Sequence, residues 1–293
     1  MSDPLRSSPL ARSFLYVPAD QPALFDKASR GPADAIILDL EDAVPLPAKD
    51  EARTALSAWL SEPSAPSAAE TWVRVDPENA SADLEAAVHP GLSGIFVAKC
   101  TAETVREIGD QLSERERRLG LAAGRIRMIG LIESAAALRD LTTIAQSPRV
   151  TTFAVGEVDL LADLRIERRP DTAPVIDGLR TSIVVACAAA GLTAPVAPTS
   201  TDYRDLDTFR ATTHALSGIG FRSRTAIHPA QVPVIHDVLT PSPEAVESAR
   251  AVVDRFERAS GGVTTDDRGR LIDAAVVRGA REILARSARA TSH

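Results

Sequence analysis

Charged residues recur where apolar, strand-like runs stop: Asp39-Leu40-Glu41-Asp42, Arg74, Lys99, Glu133 and Asp159. Parallel α/β folds gather their chemistry at strand C-termini, so side chains far apart in sequence can face one cleft. Glu133 closes the run Met128-Ile129-Gly130-Leu131-Ile132 just before a helical run at Ser134. Asp159 follows Phe153-Ala154-Val155, with Gly156 permitting a tight turn between them. Two carboxylates on successive strand ends can chelate one hard cation, and Mg²⁺ keeps several waters while taking only one or two protein carboxylates. A Glu at such a junction also suits the first turn of a helix, where the dipole favours negative charge, and position alone leaves both roles open.

Arg74 stands between Val73 and Val75 and should point opposite to them, as a fixed positive fork for a carboxylate or a developing oxyanion at a barrel mouth. The plainer role is an Arg on the outer face. Asp39, Glu41 and Asp42 end the most apolar run of the chain. Helix capping accounts for one acid there but not for three, so hydrogen bonding to metal-bound water is the expected role. Lys49 and Arg53, one turn apart on the following helix, are read as balancing that charge, with Lys49 grouped with the acids around the metal. The histidines His89, His214, His236 and His293 lack metal-ligand spacing, and His228-Pro229 reads as a structural turn. No GxSxG elbow, Walker loop or dinucleotide fingerprint occurs, which disfavours nucleophilic Ser or Cys catalysis.

The elements that must position these groups alternate. Strands are predicted at Ser13–Val17, Ala35–Leu40, Trp72–Val75, Gly94–Ala98, Arg127–Ile132, Thr152–Val155, Ala194–Ala197 and Arg224–Ile227. Helices are predicted at Pro22–Ser29, Ala48–Leu60, Ala102–Leu119, Ser134–Gln146, Val175–Ala190 and Leu206–Ser217. About eight βα units with strands apolar on both faces imply an α/β fold, a closed (β/α)8 TIM barrel, over residues 1–240. Ser61–Ala69 reads as a Pro-rich surface connection, and Arg165–Pro174 as a charged loop that could cover the cleft. Residues 241–293 read as a helical extension: a helix over Ser242–Ala259, a Gly261-Gly262 break, a polar hairpin-like stretch and a last helix from about Ile272. This extension is expected to contact a neighbouring subunit.

With 293 residues, 44% hydrophobic and 25% charged, the chain can bury one large core and a small appendage. Its apolar stretches fall short of the roughly 20 residues that span a bilayer, and Met1–Arg12 lacks a signal-like apolar segment, so a cytoplasmic protein without a membrane partner is expected. Cys100 and Cys187 are too few for a disulfide framework and sit in apolar or helical contexts. A net charge of -7 with no basic aromatic patch gives no footprint for nucleic acid. The partner is expected to be a small molecule.

The ordered set Arg12-Ser13-Phe14-Leu15-Tyr16-Val17-Pro18, Ile37-Leu38-Asp39-Leu40-Glu41-Asp42-Ala43-Val44 with Lys49 and Ala52-Arg53, Val73-Arg74-Val75, Ala98-Lys99, Ile132-Glu133-Ser134, Gly156 with Asp159-Leu160, Gly220-Phe221 and Ile227-His228-Pro229-Ala230-Gln231 resembles the citrate lyase β-subunit-like proteins of the HpcH/HpaI aldolase superfamily. It runs from Arg12 to about Leu284. The resemblance implies a Mg²⁺-dependent enzyme that cleaves or forms the carbon–carbon bond of a β-hydroxyacyl-CoA thioester such as malyl-, citramalyl- or citryl-CoA. It makes Glu133 and Asp159 the metal ligands, Arg74 the group that polarises the substrate oxygen, and Gly156, Glu157 and Val158 substrate contacts. Gly269-Arg270-Leu271-Ile272-Asp273 fits a C-terminal motif whose Asp completes a neighbour's site, so Asp273 is the implied acid/base in trans within a homo-oligomer such as a trimer.

The chain departs from that pattern at Asp76, where Asn is frequent, at Ser223-Arg224, where Gly-Lys is frequent, and near Pro195, where an Asp is expected on the seventh strand. The expected partners are an acyl-CoA thioester and a small oxo acid, with no organic cofactor. A second reading is the β subunit of a citrate lyase complex acting on a carrier-protein thioester, and a third is a binding protein that kept the fold without turnover.

Overall fold

In the computed structural model the described residues are 10–62 and 69–290. The middle of the predicted connection Ser61–Ala69, most of the N-terminal stretch Met1–Arg12, and His293 lie outside them. Eight parallel strands close a barrel in chain order: β1 (Ser13–Pro18), β2 (Ala35–Asp39), β3 (Glu70–Val75), β4 (Leu92–Val97), β5 (Arg127–Ile132), β6 (Val150–Val155), β7 (Val196–Ala197) and β8 (Ser223–Ala226). The pairing of β8 with β1, Phe14↔Thr225 and Leu15↔Ala226, closes the ring.

Strand alternation divides the apolar side chains into two layers. Phe14, Ile37, Trp72, Phe96, Ile129, Leu131, Ala154 and Val196 fill the interior. Ile36, Leu38, Val73, Val75, Ile95 and Val97 face outward against the helices. Phe14, Trp72 and Phe96 meet edge to face with ring centroids 5.5 to 5.8 Å apart, and they plug the barrel axis. A Cβ on Gly94 would stand 2.2 Å from Trp72 Cζ3, so only glycine leaves room for the indole.

The helix Ala102–Arg118 follows a Thr101 cap and buries Val105, Ile108 and Leu112 at helical spacing. Three helices exceed the sequence expectation: Ala80–Ala87, Glu157–Leu164 and Gln231–Leu239. The helix expected over Ser134–Gln146 is two, Ala135–Arg139 and Leu141–Ala145, because Asp140 takes a non-helical φ/ψ of -97/15 between them. β7 is only two residues long, since Pro195 and Pro198 on its flanks have no N–H for the ladder. Residues 170–189 are long and apolar enough to cross a bilayer by composition. In the fold they carry the helix Ala173–Ala189, whose Ile176, Ile183 and Cys187 are buried and whose Arg180 is tied to Glu157.

At the base of the barrel, where β1 and β2 begin, the charges close on one another. Arg12 donates from its backbone N and Nε to Asp34 Oδ2 at 2.9 and 2.8 Å, and from Nη2 to Oδ1 at 2.7 Å. Ser13 Oγ accepts from Asp34 N and lies 2.8 Å from His236 Nε2, which is itself 3.3 Å from Asp34 Oδ1. Burial alone would raise the Asp34 carboxyl; the Arg12 bonds and the His236 charge overturn that and hold it below its ordinary value.

The chain divides into two compact units, Met1–His236 and Asp237–His293. Within the second, the helices Pro243–Arg258 and Ala274–Ala290 pack on each other and are joined through a small antiparallel ribbon, Thr264–Thr265 with Leu271–Ile272. Gly269, at φ 75, makes the turn of that ribbon, and Asp273 Oδ1 caps the last helix by accepting from Ala275 N at 2.9 Å and Val276 N at 3.0 Å.

Candidate active site

The mouth of the barrel opens into a cavity of about 660 Å³. Tyr16, Asp39, Asp42, Arg74, Glu133 and Asp159 line it, so side chains from five strands and the turns after them converge there as the spacing of the acids predicts. Gly156, Glu157 and Val158 line it too.

Glu133 does not occupy a first helical turn. It precedes Ser134, whose side chain caps the helix by accepting from Ala137 N at 3.1 Å, and this removes the dipole role for the acid. Its Oε1 accepts instead from the backbone N of Lys99, and Lys99 holds a left-handed φ of 44 that aims that N–H. On the other side, a Cβ on Gly156 would come 2.6 Å from Glu133 Oε2, so β5 and β6 can end side by side only with glycine there. Burial pushes the Glu133 carboxyl up to about 7, and the charges of Glu41 and Asp159 add to this against the Lys99 N–H and Arg74.

Among the described residues Glu133 and Asp159 have no cationic partner within ion-pair distance, and the Asp159 carboxylate accepts no hydrogen bond. Unpaired acids within reach of one another's charge fit a divalent cation, although no group of three or more ligating side chains occurs among the described residues.

Arg74 points inward between Val73 and Val75 as predicted, and its fork is already held. Nε and Nη2 donate to the two oxygens of Asp39 at 2.7 and 2.6 Å, and Nη1 lies 3.1 Å from Glu41 Oε2. A guanidinium has five N–H donors, so two remain for a ligand once Asp39 and Glu41 are served. Lys99 Nζ takes the other Glu41 oxygen at 2.8 Å. Asp39 and Glu41 therefore orient Arg74 and Lys99, and Asp39 also accepts from Glu41 N and Ala43 N to shape its own loop.

Two expectations change. Lys49 donates to the carbonyls of Leu40 at 2.6 Å and Glu41 at 3.2 Å, so it braces the backbone behind the acids instead of balancing them. Arg53 pairs with Asp50 and buried Asp83, away from the cluster. Glu157 lines the cavity, but its carboxylate is engaged by Arg180, at 2.6 and 2.7 Å, and by Arg168 from the charged loop after the Glu157–Leu164 helix. Burial would raise Glu157; the two arginines hold it low. Asp76 caps its own turn by accepting from Glu78 N, and His228 Nδ1 accepts from Ala230 N while its ring stacks on Tyr203 at 4.7 Å. Both buried cysteines are inert by environment: burial raises Cys100 and pushes Cys187 up to about 11.

Tyr16 was not singled out from the sequence. Alternation on β1 places it on the same side as Phe14, and the Arg74 guanidinium lies 5.1 Å from its ring centroid. Burial holds the phenol well above its ordinary range, with Arg74 opposing, so it stays a neutral donor.

A family model described as HpcH/HpaI aldolase/citrate lyase matches residues 12–229. Citrate lyase subunit beta of Haemophilus influenzae is 30% identical over 286 residues, covering 95% of this chain and 97% of that protein. The (3S)-malyl-CoA thioesterase of Cereibacter sphaeroides is 32% identical over 282 residues, 94% of each. Among solved structures, CitE of Mycobacterium tuberculosis in complex with magnesium, acetoacetate and coenzyme A has a TM-score of 0.74 at 27% identity, covering 97% of this chain and 99% of that one. The chain belongs to the HpcH/HpaI aldolase/citrate lyase family and is an enzyme of the carbon–carbon lyase class.

Proposed function

We propose that this family member is a Mg²⁺-dependent lyase that cleaves or forms the carbon–carbon bond of a β-hydroxyacyl-CoA thioester of the malyl, citramalyl or citryl type. The observation that carries the reading is the pair of unpaired carboxylates, Glu133 and Asp159, in the same cavity as the preset fork of Arg74. Magnesium binding in CitE of M. tuberculosis supports the same assignment.

In the cleavage direction the β-hydroxyl loses its proton, the electron pair of the bond between the α and β carbons passes to the thioester, and an oxo acid departs from a thioester enolate. That enolate then takes a proton at carbon. Glu133 and Asp159 would hold Mg²⁺, which would supply positive charge for the hydroxyl and carboxylate of the oxo-acid half. Arg74 directs its two spare N–H groups at the oxygen on which charge develops. Gly156 and Val158 offer contact surface at the turn beside Asp159, and Asp42 lies within the same wall, where it would accept hydrogen bonds from water on a bound metal. Asp273 of a neighbouring subunit takes the hydroxyl proton and returns it to carbon. The helix cap uses its Oδ1, and no cap bond takes its Oδ2.

The test is cleavage of malyl-, citramalyl- and citryl-CoA with and without Mg²⁺, following oxo acid and free CoA separately. Metal-dependent release of oxo acid together with an acyl-CoA is expected. Free CoA without a carbon–carbon cleavage product would point to hydrolysis, the activity named for the C. sphaeroides relative. The similarity to the H. influenzae β subunit supports a second reading, action on a carrier-protein thioester. Turnover of the acylated carrier protein, with none of the CoA thioester, would identify it.

A further inference from the structure

Away from Glu133 and Asp159, the cavity wall holds a cation that has no ion-pair partner among the described residues. Arg224, on β8, is 3% exposed and lines the cavity. Its Nε donates to Pro198 O at 3.1 Å, and its Nη1 donates to Phe209 O at 2.9 Å and to the hydroxyls of Thr212 and Thr213. Every one of these acceptors is neutral. Its guanidinium carbon stands 3.9 Å from the Phe209 ring centroid, which fixes the plane of the fork. Nη2 has no hydrogen-bond partner among the described residues.

The acid whose charge reaches Arg224 is Glu157, and that carboxylate is already bonded to both Arg168 and Arg180. Asp202 also lines this wall, but its Oδ1 accepts from Arg204 N and Asp205 N in its own turn. The β7 residue in register with Arg224 is Ala197, which contributes no charge. Thr199 Oγ1, in the same wall, is buried without a hydrogen-bond partner among the described residues. Burial and the neighbouring Arg180 push the Arg224 pKa down to about 9, the direction expected of a cation without a counterion. A buried charge left unpaired is costly, and an incoming anion removes that cost.

We propose that the Arg224 wall is an oxyanion subsite, in which Nη2 of Arg224 and the hydroxyl of Thr199 take a carboxylate or phosphate oxygen of the ligand. The proposal deepens the lyase reading, because it makes the substrate one with an anionic group beyond the part held at Glu133 and Asp159. Two sources share this chemistry: the distal carboxylate of a dicarboxylic oxo acid, and a phosphate of the CoA nucleotide.

The first measurement uses the intact, metal-free protein with inorganic phosphate as probe, by calorimetry and thermal shift. Phosphate should raise the melting temperature of the wild type saturably, and Arg224→Met should weaken phosphate binding about tenfold or more, as for a lost hydrogen bond to a charged group. Arg224→Lys, which keeps the charge and loses the fork, should fall between them. If the Met variant fails to fold, the wild type and the Lys variant decide: no phosphate binding by the wild type, or wild-type affinity in the Lys variant, overturns the subsite.

The second measurement compares oxaloacetate with pyruvate, in Mg²⁺, and CoA with 3′-dephospho-CoA. A loss in Arg224→Met confined to oxaloacetate assigns the subsite to the oxo acid, and one confined to CoA assigns it to the nucleotide. Unchanged affinity for all four overturns it. Because phosphate binding requires neither metal nor turnover, an inactive wild type that binds phosphate through Arg224 would sink the lyase reading alone. An active enzyme indifferent to Arg224→Met would sink this proposal alone.

Discussion

Both ends of the barrel bury acids and bases, and they treat them in opposite ways. At the base, Asp34 is surrounded by Arg12, Ser13 and His236, and each polar group finds a partner within the chain. At the mouth, Asp39 and Glu41 are matched by Arg74 and Lys99, yet among the described residues Glu133 and Asp159 have no cationic partner. A closed network holds a fold together, whereas an open one keeps charge in reserve for something that arrives from outside. The difference is the physical ground for reading the base as structural and proposing the mouth as the site of function.

The largest effect should come from Glu133→Gln. Mg²⁺ binding by calorimetry and Mg²⁺-dependent cleavage should both vanish while the melting temperature holds or rises, since a buried unpaired acid has been neutralised. Wild-type metal affinity in this variant would remove Glu133 from the site. Arg74→Lys comes next: a point charge on a flexible stem cannot replace a planar fork clamped by Asp39, and turnover should fall about 10²-fold. Near-normal turnover would return Arg74 to a purely structural role.

At the base the signs reverse. Asp34→Asn should cost about 3 kcal/mol of stability, as for a broken buried pair, and leave Mg²⁺ affinity unchanged. The folded Asp34 carboxyl is held below its ordinary 3.8, so its contribution to stability is present above that pH and is lost as pH falls through the folded value. The variant lacks this component, and its acid unfolding limb should be shallower than that of the wild type. A steep acid limb retained in Asp34→Asn would mean that other carboxylates govern it.

The smallest signal concerns Asp273. Mixing inactive Asp273→Ala chains with inactive Glu133→Gln chains should restore a fraction of the activity once subunit exchange is demonstrated by mass spectrometry of tagged chains. Mixed oligomers that stay inactive would count against a shared site, and a monomer at assay concentrations would exclude it.

Much of the barrel was legible in the residues. The unbroken apolar run Met128–Ile132, stopped by Glu133, made β5 readable to the residue, and the apolar flanks of Arg74 indicated which way it points. The short helix Glu157–Leu164 was not readable, because its eight residues begin directly at the turn after β6, with no capping side chain at Gly156. Within the site, the acids were visible because each interrupts an apolar run. What each one touches was not: Glu157 and Arg180 are 23 residues apart on successive helices, Arg74 and Asp39 are 35 apart on the paired strands β3 and β2, and only the packing of those elements brings each pair together. Arg224 stood out as a departure at the head of a strand, but nothing in the residues around it announced that its neighbours would all be neutral.

The aromatic plug of Phe14, Trp72 and Phe96 has a kinetic consequence. With the axis stopped by three rings, the cavity opens at the mouth and not through the base of the barrel. On the proposed reading, an oxo acid held at Glu133 and Asp159 inside the mouth would be covered by the longer thioester, so the thioester would leave first and the oxo acid last. Such an order would make the oxo acid a competitive product inhibitor in the cleavage direction and the acyl-CoA a noncompetitive one, which product-inhibition kinetics would read.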